Sequence, residues 1–407
     1  MGDPITLIAG WLKTLLSGWG ASRELIAIIL SLFGVLIIAV VALLLDVFLV
    51  WLERKFVARF QDRLGPNRLG PFGLIQPFAD VIKLLIKENI VPQGADKVVY
   101  TIAPLIALAT VMLLWAVIPF APTMVGANLN VAALYIVAIG AISTLGIIMA
   151  GWASNNKYAL LGAFRMVAMV VSYEVPMVLA LLIPVILAHS MGFQDIVKAQ
   201  SGVWFIVLAP IAAVMFYTTS IAELGRAPFD IVEAESEIVA GFHIEYTGIR
   251  FGLFYAGELL HALTISAFVA TLFFGGWHGW GVEQVPILGV GYLFFKTFII
   301  YWSITWVKYS MPRLRIDQMM NFCWKFLTPL ALCLVIITAL LDKILSGVVH
   351  PAIYVFSQLT ANLIIAWIVL LVLRSYARQE RRKVGFERPV ATAPIVEFSE
   401  PVMIEEE

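Results

Sequence analysis

Long hydrophobic runs recur from one end of this sequence to the other, and they leave few possible folds. Each run of about 20 residues is long enough to cross a hydrocarbon layer of about 30 Å. A helix satisfies its backbone hydrogen bonds internally, so it is the spanning structure that such runs favour. We therefore predict an all-α polytopic integral membrane protein with about nine transmembrane helices. The predicted spans are residues 25–50, 98–121, 131–152, 165–189, 203–222, 251–275, 286–307, 323–345 and 353–373.

The composition agrees with a chain whose surface faces lipid. Only 13% of the residues are charged, whereas a soluble domain carries about 25%. Lys and Arg concentrate in alternate connections, which the positive-inside rule assigns to the cytoplasm. This pattern predicts an N-terminus outside and a C-terminus inside. The basic connections are residues 52–97, 153–165, 223–250, 308–325 and 374–407.

The spans and connections together predict how the chain is organised. Eight predicted helices and two long cytoplasmic loops lie between residues 25 and 345, and the ninth helix follows them. The C-terminal tail is rich in Pro and Glu, so we expect it to be flexible. The predicted regions are an N-terminal interfacial segment (1–24), the core (25–345) with its loops (52–97 and 223–250), the extra helix (346–374) and the tail (375–407).

The sequence holds few groups that could carry electrons. Haem needs axial ligands and iron–sulfur clusters need several cysteines, but the five histidines are scattered and both cysteines lie in one predicted span. Acidic and basic residues balance at 27 each, which gives no excess of positive charge for nucleic acid. We therefore expect no covalently bound cofactor, no metal site and no nucleic-acid partner. Any redox reaction must be driven by a partner protein.

The first long loop combines a fixed turn with an amphipathic helix. Residues 65–73, Gly-Pro-Asn-Arg-Leu-Gly-Pro-Phe-Gly, have a composition typical of turns. After them, apolar residues such as Phe78 and Ile82 recur at helical spacing, with Asp80 and Lys83 on the opposite face. One interpretation is a basic loop held by lipid phosphates. The other is a docking surface and an entrance for a lipid-soluble ligand.

The second long loop places acidic residues among apolar ones, unlike an ordinary solvated loop. Its apolar residues indicate that it packs inside protein, where partial burial raises carboxylate pKa values. Neighbouring acids of this kind can hold and pass protons near neutral pH. A charged cap over a helix bundle is the alternative interpretation. The acids are Glu223, Asp230, Glu233, Glu235, Glu237 and Glu245.

Ionisable residues also fall within predicted spans, where such groups are costly and usually functional or paired. Glu174 lies in the fourth span beside Pro176, Glu258 lies in the sixth and Lys296 in the seventh. With the acids of the second loop, Glu174 and Glu258 predict a proton path from the inner face into the bundle. Lys296 either belongs to that path or is a structural counter-ion to one of its acids. We expect Asp46, near the inner end of the first span, to lie close to the headgroups.

Several strings in these loops resemble the H subunit family of bacterial respiratory complex I. The resemblance covers about residues 20–345. The strings are Glu-Arg-Lys at 53–55, Arg-Leu-Gly-Pro-Asn-Arg at 63–68, Gln-Pro-Phe-Ala-Asp at 76–80, Ala-Glu-Leu-Gly-Arg-Ala-Pro-Phe-Asp at 222–230, Glu-Ala-Glu-Ser-Glu at 233–237 and Gly-Phe-His-Ile-Glu-Tyr at 241–246.

This resemblance implies a membrane subunit of a proton-translocating NADH:quinone oxidoreductase, inactive when isolated. It implies ubiquinone or menaquinone as the substrate, with FMN and iron–sulfur clusters only in partner subunits. The expected partners are quinone-reducing peripheral subunits, antiporter-like membrane subunits and lipids of a bacterial cell membrane.

The resemblance also implies roles for particular residues. The residues that match the mouth of a quinone tunnel are Glu53, Arg54, Arg59 and Arg63. Those that match the tunnel lining are Arg226, Phe229 and Glu245. Those that match acids linking the quinone chamber to the proton channels are Asp80, Glu174, Glu223, Glu233, Glu235 and Glu237. Position and residue type alone add Asp230, Glu258 and Lys296 to this proton path.

Other functions remain open at this level. A homologous subunit of a membrane-bound hydrogenase would share the architecture, but the basic quinone-mouth motif argues against it. A stand-alone cation/proton transporter would often show internal repeats, and the sequence has no convincing one. A purely structural anchor would not explain Glu174. The extra helix and tail, residues 346–407, depart from the family core.

Overall fold

The structure is a computed structural model that describes residues 4–18, 22–230, 241–345 and 350–387. Eight of the described helices are apolar and long enough to cross a membrane. This confirms the predicted all-α polytopic class. These helices are α2 (Arg23–Phe60), α4 (Lys97–Trp115), α5 (Ala132–Ala153), α6 (Lys157–Ala188), α10 (Gly248–Phe273), α11 (Ile287–Ser310), α12 (Ile316–Leu345) and α13 (Pro351–Glu387).

Shorter helices lie before and between these spans. The amphipathic helix predicted in the first loop is α3, and its apolar residues Ile82, Leu85 and Ile86 are exposed, as expected for a helix at a membrane boundary. The shorter helices are α1 (Pro4–Gly18), α3 (Gln76–Ile86), α7 (Phe193–Ala199), α8 (Phe205–Leu208) and α9 (Pro210–Glu223).

The predicted fifth span, 203–222, is not one continuous helix. It is divided into α8 and α9 at Ala209, whose φ and ψ of −136° and 64° are not helical. The cause is Pro210, since a proline disfavours helical geometry in the residue before it and cannot donate a backbone hydrogen bond. The described chain therefore has eight helices of spanning length, where the sequence predicted nine. The helix α9 packs against α6.

Helix α10 is the most enclosed of the spanning helices, whereas α2 is the least. α10 contacts α2, α3, α4 and α11. Charged residues on α10 therefore face protein from several directions, while most of α2 faces outwards.

Two glycines allow the long loops to lie close to other backbone. Gly73 has a φ of +77°, and a Cβ there would lie 2.2 Å from the Pro66 carbonyl oxygen. Gly162 on α6 faces the second loop, where a Cβ would lie 2.8 Å from the Gly241 Cα. A residue with a side chain would need the backbone to move at either position. The first contact folds the first loop on itself, and the second holds the second loop against α6.

The C-terminal helix α13 continues beyond the predicted span (353–373) to Glu387. The Tyr354 hydroxyl near its start donates to Asp342 Oδ1 at 2.8 Å, and His189 Nε2 lies 3.6 Å from Asp342 Oδ2. Among the described residues, those up to Leu359 belong to one compact unit and those from Thr360 to a second. The start of α13 is therefore held to α12 by a polar contact.

Candidate functional site

A buried arginine lies between two carboxylates from different helices. Arg226 Nη2 is 3.8 Å from Glu53 Oε2 on α2, and Arg226 Nε is 3.4 Å from Glu258 Oε1 on α10. Arg226 is only 2% exposed. Lys308 and Tyr309, at the end of α11, both donate to Glu53 Oε1 at 2.8 Å. This Arg226 cluster joins α2, α10, α11 and the second long loop through charge.

The surroundings of Arg226 keep it charged. Burial by itself lowers the pKa of a guanidinium, but the Glu53 carboxylate, Tyr301 and the Glu258 carboxylate outweigh burial and raise the Arg226 pKa above its ordinary value. Buried ion pairs add little net stability, because desolvation offsets their attraction. Loss of one partner instead leaves an uncompensated buried charge. Arg226 is therefore suited to a fixed electrostatic role rather than to proton exchange.

Contacts on both sides hold the loop that carries Arg226. The Pro228 carbonyl accepts a hydrogen bond from the Leu314 backbone N–H at 2.9 Å, and the Phe229 N–H donates to the Arg226 carbonyl at 2.9 Å. The buried Phe229 ring packs on Tyr173 of α6, with 5.2 Å between centroids. The loop is thus fastened to α6 and to the connection that precedes α12.

A cavity of about 110 Å³ lies beside the Arg226 cluster, with room for several waters. Its wall includes two carboxylates, Glu223 and Glu258, and two imidazoles, His243 and His261. His261 Nε2 lies 4.0 Å from Glu223 Oε1. These groups come from α9, α10 and the short turn at Gly241–His243. The cavity therefore gathers titratable groups that lie far apart in the sequence.

His243 is held neutral in the wall of this cavity. Burial lowers its pKa, and the nearby Glu258 carboxylate opposes this effect only in part. Its ring contacts Phe242 and Phe251, with centroids 5.1 and 5.5 Å apart. A neutral imidazole has one donor and one acceptor nitrogen, so His243 can relay protons between waters in the cavity.

Two of the predicted acids, Glu174 and Glu223, approach the same point on α5. A Cβ on Gly140 would lie 3.6 Å from Glu223 Oε1 and 3.9 Å from Glu174 Oε1. A smaller cavity of about 20 Å³ is also lined by Gly140, Glu223 and His261. These contacts place four titratable groups in a line, which we call the acid line. Its members are Glu258, His261, Glu223 and Glu174.

The basic residues predicted at the quinone mouth lie on a more exposed surface. Arg54 Nη1 donates to Asp80 Oδ2 at 2.5 Å, which joins α2 to α3. Lys83 Nζ lies 3.5 Å from the other Asp80 oxygen. Arg59 and Arg63 are exposed. Asp80 therefore lies on the basic surface with Arg54 and Lys83, and the role in proton transfer that the resemblance implies for it stays a prediction.

Glu245 anchors the end of the second loop. Its Oε1 accepts a hydrogen bond from Asn156 Nδ2 at 2.7 Å, and its backbone carbonyl accepts one from the Tyr100 hydroxyl at 2.6 Å. The Tyr100 and Tyr246 rings stack with centroids 4.1 Å apart. Glu245 thus ties the loop to α4 and to the start of α6.

Lys296 lies apart from the acid line. Its Nζ donates to the carbonyls of Phe274, Gly276 and His278 at 2.8, 2.9 and 2.9 Å, and it lies 4.9 Å from the centre of the Trp204 ring. These carbonyls follow the C-terminus of α10, where a cation is favourable. The geometry supports a structural role for Lys296, with backbone carbonyls rather than an acid as its partners.

Part of the predicted proton path lies outside the described chain. The acids outside the described ranges are Glu233, Glu235 and Glu237. Asp230, which precedes them, is described and is partly buried. Within the described ranges, no group of three or more His, Cys, Asp or Glu side chains could hold a metal ion. The arrangement can hold charges and move protons.

The sequence did not identify Lys308, Tyr309, His243 or His261 as members of the site, and it did not predict the burial of Asp46. Lys308 and Tyr309 lie in a basic connection, and nothing in the sequence links them to Glu53. His243 stood out only as one of five scattered histidines. Asp46, expected near the headgroups, is only 7% exposed. The burial of Asp46 could have been predicted, because Asp46 lies seven residues before Glu53 and therefore on the same face of α2.

Comparisons with known proteins agree with the resemblance of the two loops. A family model described as NADH dehydrogenase matches residues 33–339. A relative from Dehalococcoides mccartyi, named as the H subunit of NADH-quinone oxidoreductase, is 50% identical over 317 residues, which are 78% of this chain and 86% of the relative. A relative from Geobacter metallireducens with the same subunit name is 47% identical over 76% of this chain and 96% of the relative. The chain therefore belongs to the NADH dehydrogenase family.

Proposed function

We propose that this chain is the membrane subunit of a proton-translocating NADH:quinone oxidoreductase, and that it couples the quinone site to proton pumping. The observation that carries the proposal is the position of Arg226. This buried residue contacts Glu53, which adjoins the basic surface of the first loop, and Glu258, which lines the acid cavity. One fixed charge thus links the quinone entrance to the acid line. The names of the relatives support the same function.

In this proposal, electrons from NADH reach the quinone through FMN and iron–sulfur clusters in partner subunits. The quinone takes up an electron pair and a pair of protons and becomes a quinol. The residues at the entrance are Glu53, Arg54, Arg59 and Arg63, with Asp80 paired to Arg54. The residues towards the inner part of the chamber are Arg226, Phe229 and Glu245.

The coupling step is electrostatic. Negative charge that develops on a quinone near Arg226 competes with Glu258 for the attraction of the guanidinium. The weaker attraction between Arg226 and Glu258 then changes the charge balance at the start of the acid line. His261 and waters in the cavity pass the change to Glu223 and Glu174. In the proposal, Asp230 and the acids at 233–237 extend this path, and antiporter-like membrane subunits receive it.

The location of the chain is part of the proposal. Eight apolar helices support a multi-pass membrane protein. We place it in a bacterial cell membrane with the N-terminus outside, so that the basic first loop and Arg226 face the cytoplasmic partner subunits.

Purification of the tagged chain tests this function. A C-terminal affinity tag and a gentle detergent should retain partner subunits that carry FMN and iron–sulfur clusters. The same sample should show NADH:quinone reductase activity that quinone-site inhibitors block. A chain that purifies alone, or with a nickel–iron hydrogenase, would contradict the proposal.

The coupling role has its own test. Glu174→Gln should leave assembly of the complex intact and reduce proton-coupled turnover, because an amide cannot accept the proton. Glu283 is an exposed acid, so Glu283→Gln makes the same chemical change away from the path. Wild-type rates and wild-type proton-to-electron ratios in Glu174→Gln would reject the coupling role.

A further inference from the structure

An acid that the acid line does not include lies deeper along α2. Asp46 is 7% exposed, and its Oδ1 is buried without a hydrogen-bond partner. Ala42, Asp46, Leu49 and Glu53 are the buried residues in this stretch of α2, at the spacing of one helix face. Asp46 therefore shares a buried face with Glu53 and lies about 10 Å further into the span, since each residue advances 1.5 Å along a helix.

The Glu53 end of this face also has unused hydrogen-bonding capacity. Glu53 Oε1 receives both Lys308 and Tyr309, but Glu53 Oε2 is buried without a hydrogen-bond partner. The nearest cation to it is Arg226, at 3.8 Å, which is beyond a direct hydrogen bond. Buried polar atoms usually have a hydrogen-bond partner, either in the protein or in ordered water. The two buried oxygens without a protein partner, on Asp46 and Glu53, are therefore the places on this face where an ordered water would be bound.

The charge balance of this region fits a protonated Asp46. The positive charges of Arg226 and Lys308 match the negative charges of Glu53 and Glu258, so an ionised Asp46 would add an uncompensated anion. The charged neighbour that acts on Asp46 is Glu53, a like charge. The charged and titratable groups around this face are Glu53 and Arg54 on α2, Arg226 in the second loop, Tyr255 and Glu258 on α10, and Tyr301, Lys308 and Tyr309 on α11; Arg54 is itself paired with Asp80.

We propose that Asp46 is a proton-holding residue of the quinone chamber, connected to Glu53 by bound water along the buried face of α2. The proposal rests on the proposed function and adds a branch to its proton path. When partner subunits reduce the quinone, the O–H bond of Asp46 breaks and a proton moves through the water. An O–H bond then forms on one oxygen of the reduced quinone, the second proton of the quinol comes from the cytoplasmic side, and the Asp46 carboxylate regains its own proton from that side. Asp46 acts through water, so it is a positioning residue rather than a catalytic one.

The test compares Asp46→Asn and Asp46→Glu with the exposed control Glu283→Gln, each in the whole purified complex. The acceptor is short-chain ubiquinone or menaquinone, whichever the wild-type complex reduces faster. Redox-induced infrared difference spectra detect the C=O stretch of a protonated carboxyl that changes during turnover. A purely structural role for Asp46 would not produce such a band.

We expect Asp46→Asn to lose one carboxyl band and about tenfold in quinone reduction rate, which is less than the roughly 10²–10⁴-fold contributed by a group that transfers a proton directly, because Asp46 acts through water. Asp46→Glu should restore the rate and move the band, and Glu283→Gln should match the wild type in both. Unchanged bands in Asp46→Asn, in an active and assembled complex, would overturn the role of Asp46 alone. A wild-type complex without NADH:quinone activity would instead overturn the proposed function and this inference with it.

Discussion

The guanidinium of Arg226 lies 3.8 Å from the carboxylate of Glu53 in the interior of the helix bundle. The distance is too long for a direct hydrogen bond, yet attraction between unit charges is strong where water is largely excluded. Glu53 lies in the Glu-Arg-Lys string at the start of the first long loop, and Arg226 lies in the second long loop. The two regions are therefore coupled by charge across the inner end of α2.

Arg226→Gln should destabilise the assembled complex by about 3–5 kcal/mol, because Glu258 loses its cation and Glu53 keeps only Lys308. The measurement is thermal inactivation of the purified complex, together with the amount of complex assembled. Arg63→Gln, at an exposed position, should change stability by less than about 0.5 kcal/mol. Equal stability in the two variants would contradict the central role given to Arg226.

Asp80→Asn should have a small effect on stability, at most about 1 kcal/mol, because its partner Arg54 has a side chain 41% exposed. Its effect should appear in quinone binding, since the released Arg54 alters the entrance. We expect a higher KM for quinone at nearly unchanged kcat, measured by steady-state NADH oxidation. A lower kcat with unchanged KM would place Asp80 in the proton path instead.

Gly140→Ala should separate coupling from stability. The new methyl group would lie 3.6 Å from Glu223 Oε1 and 3.9 Å from Glu174 Oε1, at ordinary van der Waals distances. It would displace water between the two acids without a clash, while alanine favours the helix by about 0.5–1 kcal/mol. We expect unchanged or higher thermal stability and reduced proton pumping per electron, measured in proteoliposomes. Gly34→Ala, where no atom lies within 4 Å of the new Cβ, is the matched control and should pump normally.

His243 gives a prediction about pH, because burial lowers its pKa. Above pH of about 6.5, His243 is neutral in both folded and unfolded chains and contributes no pH dependence. As the pH falls below that value, the unfolded chain takes up a proton that the folded chain refuses, so folding stability falls until the lower, folded pKa is passed. His243→Phe removes this loss. As the pH is lowered from about 6.5 to 5, the melting temperature of the variant should rise relative to that of the wild type. A difference that stays constant across this range would show that burial does not hinder protonation of His243.

Lys296→Met should destabilise the connection that follows α10 and should leave proton transfer unchanged. The side chain would no longer donate to the three carbonyls that Lys296 contacts, and each carbonyl left unsatisfied typically costs about 1–3 kcal/mol. We expect less assembled complex and a lower melting midpoint, with a normal proton-to-electron ratio in the complex that remains. An assembled, stable complex with a reduced ratio would return Lys296 to the proton path.

Hydrophobic length and motif content made the class of fold and the family predictable. The break in the fifth span was harder to foresee, because a proline at the first turn of a helix is normally favourable, and Pro210 follows a short apolar stretch that could have continued the same helix. A proline also disfavours helical geometry in the residue before it. The continuous hydropathy of residues 203–222 nevertheless favoured one span.

The site was predicted unevenly for a physical reason. Acids such as Glu174 and Glu258 stand out within apolar runs, since their burial has an energetic cost that demands a partner. Their partners are harder to find, because side chains such as Lys308 and Tyr309 are ordinary at a membrane boundary. Only the packing of α11 against α2 brings them to Glu53. The pairing of distant charges depends on helix contacts that one sequence does not specify.

The contrast between α2 and α10 has a consequence for how the complex senses its surroundings. Glu258 sits on the enclosed helix α10, so its environment is set by protein and by the cavity that it lines. Glu53 and Asp46 sit on α2, whose opposite faces are exposed in this chain, so a single helix thickness separates them from lipid wherever no partner subunit covers α2. Bilayer thickness and lipid head-group charge should therefore tune the quinone end of the path, while the inner acids stay insulated from the composition of the membrane.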